Sequence, residues 1–152
     1  MSAPRRPVPR PAQIKRPRIG RIVETCLHVK DVERSARFYE NLFGFKRMAS
    51  DARFCAFNVA KGCVFLLFRQ GGTLKPVNLG GGIIPPHDGR GRLHLAFSIA
   101  AKDVNSWKKF LQLNRIVLES DVHWQEGGRS LYFRDPDKHL VELATPGIWP
   151  NY

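Results

Sequence analysis

Two stretches of this chain repeat each other, and a repeated module limits the fold more than composition does. Glu24-Thr25-Cys26-Leu27-His28-Val29 lies against His94-Leu95-Ala96-Phe97-Ser98-Ile99, and after a two-residue insertion Asp31-Val32 matches Asp103-Val104. Further on, Arg53 to Phe68 aligns without a gap to Arg129 to Ala144, pairing Phe57 with Phe133 and Leu67 with Leu143. In that register Glu24 pairs with His94, and Leu66 pairs with Glu142. The chain therefore reads as two similar modules whose corresponding strands carry acidic and imidazole side chains.

Each module has the same order of patterns. Residues 21–29 alternate and are rich in Val, Ile and Thr, which predicts a strand. Asp31 is placed to cap a helix in which Val32, Ala36, Phe38, Tyr39, Leu42 and Phe43 recur at helical spacing, and Gly44 ends it. Strands are expected near 45–50, 53–59 and 62–69, with Lys61-Gly62 as a hairpin turn. Module two repeats this: strand 92–100, helix 103–113 capped by Asp103, then strands near 116–123, 129–134 and 139–144. Asp135-Pro136-Asp137-Lys138 fits a type I turn, because proline presets the second dihedral. The expected organisation is module one over 21–69, a Gly- and Pro-rich linker over 70–90 and module two over 91–145, all within one domain of residues 20–152.

The net charge of +12 divides unevenly. Residues 1–19 hold Arg5, Arg6, Arg10, Lys15, Arg16 and Arg18 between prolines and contain no acid. Such a segment cannot bury enough apolar surface to order itself and is read as a disordered basic arm. Its charge could give weak contact with nucleic acid or anionic lipid, but no nucleic-acid motif accompanies it. No apolar run approaches the ~18 residues of a membrane span, and the N-terminus lacks a secretory apolar core. The three cysteines, Cys26, Cys55 and Cys63, have no CxxC spacing and sit in apolar strand patterns. They read as buried thiols of a reducing, cytoplasmic compartment.

Alternation along strands sets the candidate chemistry. Glu24, Cys26 and His28 share one face of the first strand; His94 and Glu142 lie on the matching strands of module two. A carboxylate in an apolar strand needs a partner or a metal, because desolvating it is costly. One imidazole and two carboxylates suit Fe(II), Mn(II), Zn(II), Ni(II) or Co(II) with positions left for substrate. Other outcomes stay open: a strand histidine is also a common hydrogen-bonded structural residue, and Glu24 or Glu142 could face solvent or pair with Arg92 or Arg129. Further pocket candidates are Phe54, Phe68, Arg69, His87, Trp124 and Arg129, each with an ordinary alternative in packing, surface charge or an exposed turn. His28, on the Glu24 face, could act as an acid or base or simply be hydrogen-bonded.

The motifs Glu24–Asp31, Phe38-Tyr39-Glu40-Asn41-Leu42-Phe43-Gly44-Phe45, Leu93-His94-Leu95-Ala96-Phe97 and Tyr132–Leu143 together resemble the vicinal oxygen chelate superfamily. That superfamily includes glyoxalase I, fosfomycin-resistance enzymes, bleomycin-resistance proteins and extradiol dioxygenases. The resemblance covers residues 21 to about 149 and is especially close to glyoxalase-like bacterial proteins with an Ala-Thr-Pro-Gly-x-Trp ending, here Ala144 to Trp149. It implies an α+β fold of two βαβββ modules forming a cupped mixed sheet around one divalent metal. The family's ligand positions fall on Glu24, His94 and Glu142, with glutamate where His or Gln is usual in the first strand. The extra glutamate of glyoxalase I falls at or near Leu66, which cannot ligate, so the resemblance implies a three-ligand site. In the fosfomycin-resistance group a substrate-contacting tyrosine stands ten residues before the last ligand, where this chain has Tyr132. The implied function is a metal-dependent enzyme acting on a small molecule with vicinal oxygens, by lyase, isomerase, epoxide-opening or dioxygenase chemistry. The alternative is a non-catalytic protein that sequesters a small molecule or antibiotic, as bleomycin-resistance proteins do. Relatives pair modules within or between chains, which implies a homodimer.

Overall fold

The structure, a computed structural model, describes residues 15–152. Most of the basic arm, residues 1–14, lies outside the described residues, and Lys15 to Ile19 are exposed without regular structure.

Module one begins with β1 (Glu24–Val29) and α1 (Val32–Phe43) and continues through β2 (Lys46–Ser50), β3 (Phe54–Ala60) and β4 (Cys63–Arg69). The start of α1 is fixed by the Asp31 carboxylate, which accepts the Arg34 N–H at 3.0 Å. Gly44 ends the helix at φ 69°, donating its N–H to the Glu40 carbonyl. Val32, Ser35, Ala36, Tyr39 and Leu42 face inward, the i, i+3, i+4, i+7 stripe of an amphipathic helix. The sheet order is β1-β4-β3-β2, with β1 and β4 parallel and the others antiparallel.

Module two reproduces this order. After β5 (Val77–Asn78) and β6 (Ile83–Ile84) come β7 (His94–Ser98), α2 (Val104–Leu113), β8 (Leu118–His123), β9 (Arg129–Arg134) and β10 (Leu140–Ala144), sheeted as β7-β10-β9-β8. The registers prove the repeat residue by residue. Val64 stands beside Glu24 as Leu140 stands beside His94, and Phe57 faces Phe65 as Phe133 faces Val141. The α+β architecture of two βαβββ modules is thus the one the motifs implied.

Odd-numbered strand residues of both modules form one core. Leu27, Val29, Phe57, Phe65, Leu67, Leu131, Phe133, Val141 and Leu143 are all 2% exposed or less. Helix α1 meets module two through Phe43, whose ring lies 4.9 Å from Phe97 and 5.7 Å from Trp107. The even-numbered residues line the opposite, concave faces.

The two modules are also tied by polar groups from the turn after β9. Tyr39 donates to Asp135 at 3.0 Å, while Asp137 accepts from the Lys30 N–H (3.1 Å), Arg34 (2.7 Å) and Ser35 (3.0 Å). Burial favours the neutral acid at Asp137, but these three donors prevail and hold its carboxyl below the usual carboxylate range. His139 is fully buried; its Nδ1 accepts the Leu93 N–H, so Nε2 carries the proton and donates to the His28 carbonyl at 3.0 Å.

Four expectations need correction. The first strand begins at Glu24, not at residue 21, because nothing pairs Arg21 to Val23 as regular strand. Asp103 makes no side-chain cap: a 3₁₀ turn, Ala101–Asp103, precedes α2 and gives Asp103 helical dihedrals already. No strand was expected within the linker, yet β5 and β6 form a short hairpin there. Only Cys55 is buried; Cys26 is exposed on the concave face of β1, and Cys63 is exposed as the first residue of β4, beside the Lys61-Gly62 turn.

Candidate functional site

The concave face of module two carries a polar cluster on β7, β9 and β10. Glu142 pairs across the ladder with Tyr132 and lies one step from His94, which stands beside Leu140. Glu142 is buried, at 5% exposed. Oε1 accepts from Ser130 Oγ at 2.5 Å and from the Tyr132 hydroxyl at 3.0 Å. Oε2 faces His94 Nε2 at 3.1 Å. The Trp124 indole, which can only donate, gives its N–H to Ser130 Oγ at 2.8 Å, so the serine hydroxyl must point its own proton at Glu142. Burial and the adjacent carboxylate hold the Tyr132 phenol above its usual range, keeping it a donor at neutral pH.

His94 is half exposed, and its Nδ1 lies 3.2 Å from the Leu140 carbonyl. Donation there leaves Nε2 with a lone pair aimed at Glu142 Oε2. Two acceptors so placed need a proton or a cation between them. Two donors each about 2.1 Å from one shared cation also stand roughly 3 Å apart. The pair therefore fits one edge of a divalent-metal site, with the Leu140 carbonyl fixing the ring as an outer partner does.

Glu24 is elsewhere. It lines a cavity on the concave face of module one with Phe54, Leu66, Phe68 and His87. Among the described residues no three His, Cys, Asp or Glu side chains converge as a metal group within one chain. His28 is 5% exposed, stacked on Phe68 at 5.7 Å and edge-on to His87 at 5.7 Å. Its Nε2 has no hydrogen-bond partner and lies 3.8 Å from Asp88. Burial lowers its pKa, against the pull of Asp88.

The remaining candidates separate by strand parity. Phe54, Phe68 and His87 line the module-one cavity, and Trp124 reaches the Glu142 network through Ser130. Arg69 follows Phe68 and so faces the other way, into a surface depression with Lys30 and Asp51. Arg129 is three residues from Tyr132, also on the opposite face, and is held by Asp121 through two bonds of 2.6 Å. Sequence reasoning missed Ser130 and Arg53, which lines the module-one cavity. Ser130 was findable: two residues before Tyr132, it shares that face.

Residues 18–143 match the Glyoxalase/Bleomycin resistance protein/Dioxygenase superfamily. The chain belongs to that superfamily. It is 30% identical over 119 residues to the metallothiol transferase FosB of Lysinibacillus sphaericus, spanning 77% of this chain and 76% of that protein. Among solved structures it resembles a lactoylglutathione lyase from Agrobacterium tumefaciens, with a TM-score of 0.79 and 25% identity over 87% of this chain and 98% of that one. It also shares the fold of the fosfomycin resistance protein FosX of Listeria monocytogenes, whose E126Q mutant was solved with Mn(II) and 1S,2S-dihydroxypropylphosphonic acid. There the TM-score is 0.61 and the identity 24%, over 83% of this chain and 90% of that one. Superfamily relatives of this kind are metal-dependent enzymes acting on small molecules. No helix among the described residues is long and apolar enough to cross a membrane.

Proposed function

We propose that the protein is a divalent-metal-dependent enzyme acting on a small molecule with adjacent oxygen atoms, in a homodimer whose sites are shared between chains. The observation that carries this is the His94–Glu142 pair, with one lone pair and one carboxylate oxygen turned toward each other on an open sheet face. His94 and Glu142 of one chain would hold the metal with Glu24 of a second chain, the residue at the matching point of the repeat. When bound, such a metal acts as a Lewis acid on a substrate oxygen. The chain's own groups supply the rest. Ser130 and Tyr132 occupy Oε1 of Glu142, so Oε2 is the oxygen left to face outward. Tyr132, protonated at neutral pH, can donate to a substrate oxygen that displaces its bond to Glu142. Similarity to FosB and FosX supports opening of an epoxide or transfer to a small oxygen-rich substrate as the reaction class.

The separation of Glu24 from His94 within one chain is the reason for the shared site. Refolding Glu24→Ala protein together with His94→Ala protein tests it. If sites are shared, each mixed dimer has one intact site, and metal binding returns to roughly a quarter of all sites. If each chain supplied its own ligands, every site would keep a lesion and nothing would return.

A further inference from the structure

The cavity of module one has a chemistry of its own. It encloses about 310 Å³, the lower end of the range for small-molecule sites. Its floor is Phe54, Leu66 and Phe68 from β3 and β4; its roof is Val77, Leu79 and Ile84 from the β5–β6 hairpin. The polar residues lining it are Glu24, Arg53, Thr73 and His87. Two of these are already engaged: the Thr73 hydroxyl donates to the His87 carbonyl, and Arg53 reaches Asp51 at 3.3 Å.

The sheet register gives the length. Glu24 sits beside Val64, and four residues along β1 His28 sits beside Phe68, on which the His87 ring packs at 4.8 Å. At the usual rise of a strand these two ends are roughly 13 Å apart. The chamber thus runs from a carboxylate, over an apolar middle, to an imidazole. Its roof is unfinished: Leu79 and Ile84 are 68% and 45% exposed. Apolar side chains left open above an apolar floor await a ligand with an apolar body. A three-carbon phosphonate, as bound in the FosX structure, would fill only the Glu24 end.

We propose that this chamber selects the substrate, which is an elongated amphipathic molecule: an oxygen-bearing head at Glu24 and an alkyl or aryl body lying between Phe54–Leu66–Phe68 and Leu79–Ile84. The head's placement rests on the metal reading above, whereas the body's placement rests on the chamber alone.

Straight-chain hydroxamic acids, from acetohydroxamate upward, present two adjacent oxygens on an alkyl chain of chosen length. Their dissociation constants are measured calorimetrically on the full chain, with and without Mn(II). Each added methylene should tighten binding about three- to four-fold until the chain spans the chamber. The double variant L79S/I84S alters two exposed side chains, so folding is retained. It should flatten the length dependence and leave acetohydroxamate affinity unchanged.

If acetohydroxamate does not respond to Mn(II) but length dependence persists and is lost in the double variant, the metal reading fails and the chamber stands. Affinity independent of length in both states overturns the chamber. So does length dependence that survives in L79S/I84S, because the chain is then held elsewhere. Length independence together with dissociation of the double variant into monomers would assign Leu79 and Ile84 to a contact with a second copy instead.

Discussion

The two concave faces descend from one pattern and have become opposites. Module two's face is polar and linked: Trp124, Ser130, Tyr132 and Glu142 form a chain of hydrogen bonds, and Oε2 of Glu142 faces His94 Nε2 at its open end. Module one's face is apolar and roofed, with Glu24 at one end and a buried, unpartnered His28 nitrogen near the other. At the positions of Tyr132 and Glu142 the first module has Ala56 and Leu66, which face each other across β3 and β4. The same backbone thus carries reactive groups in one copy and a shaped apolar surface in the other. The turns diverge as well. The repeat sets Gly62 against Lys138, both near φ 70°, but Val59, Lys61 and Cys63 stand where module two has Asp135, Asp137 and His139.

The sharpest break of this comparison is at His94. His94→Ala should lower divalent-metal affinity by more than about 100-fold, since loss of an outer partner alone costs about 10- to 100-fold. Elemental analysis and calorimetric titration read this directly, and undiminished binding would remove the polar face from the function. Asp135→Ala strips the modules' tie of its buried acceptor and leaves the Tyr39 hydroxyl and His139 N–H unpaired. A loss of about 2–4 kcal/mol is expected, seen as a fall in Tm of about 5–15 °C. The same change at Val59, its counterpart in the repeat, would remove no hydrogen bond.

Tyr132→Phe deletes one donor to Glu142 and should weaken metal binding by roughly 10-fold with little change in Tm. Lys138→Gly should be neutral or stabilise by up to about 1 kcal/mol, because glycine takes the left-handed conformation without a Cβ penalty. Denaturant midpoints of the pair test whether the two turns differ in strain. The smallest effect is at His28. Its pKa is lowered by burial, so the unfolded chain binds the extra proton first. The stability it contributes is complete above the ordinary histidine value of 6.5 and is lost as pH falls from there toward the lower folded value. Asp88 opposes this, and His87 and His139 add to it. His28→Phe should flatten the dependence of Tm on pH below 6.5, and an unchanged slope would place the acid sensitivity elsewhere.

Much of this was legible as pattern. The repeat, the Asp31 cap and the facing of Tyr132 and Glu142 follow from spacing, because strand alternation and helix caps are local. Alternation also carried information against Arg69 and Arg129, each an odd number of residues from a concave-face neighbour. The 3₁₀ turn that removes the Asp103 cap was hidden, since capping residues look alike in sequence whichever dihedrals precede them. The Asp135–Lys138 segment read only as a good turn, although its divergence from Val59–Gly62 marked it as doing more. That Glu24 and His94 do not meet within one chain was beyond any local pattern, because it depends on which faces the shared core turns outward.

The tie through Asp135, Asp137 and His139 makes the covalent connection across residues 70–90 redundant for cohesion. A chain opened within Gly80–Gly82 would remain one particle, and its halves could be encoded as separate polypeptides that find each other after synthesis.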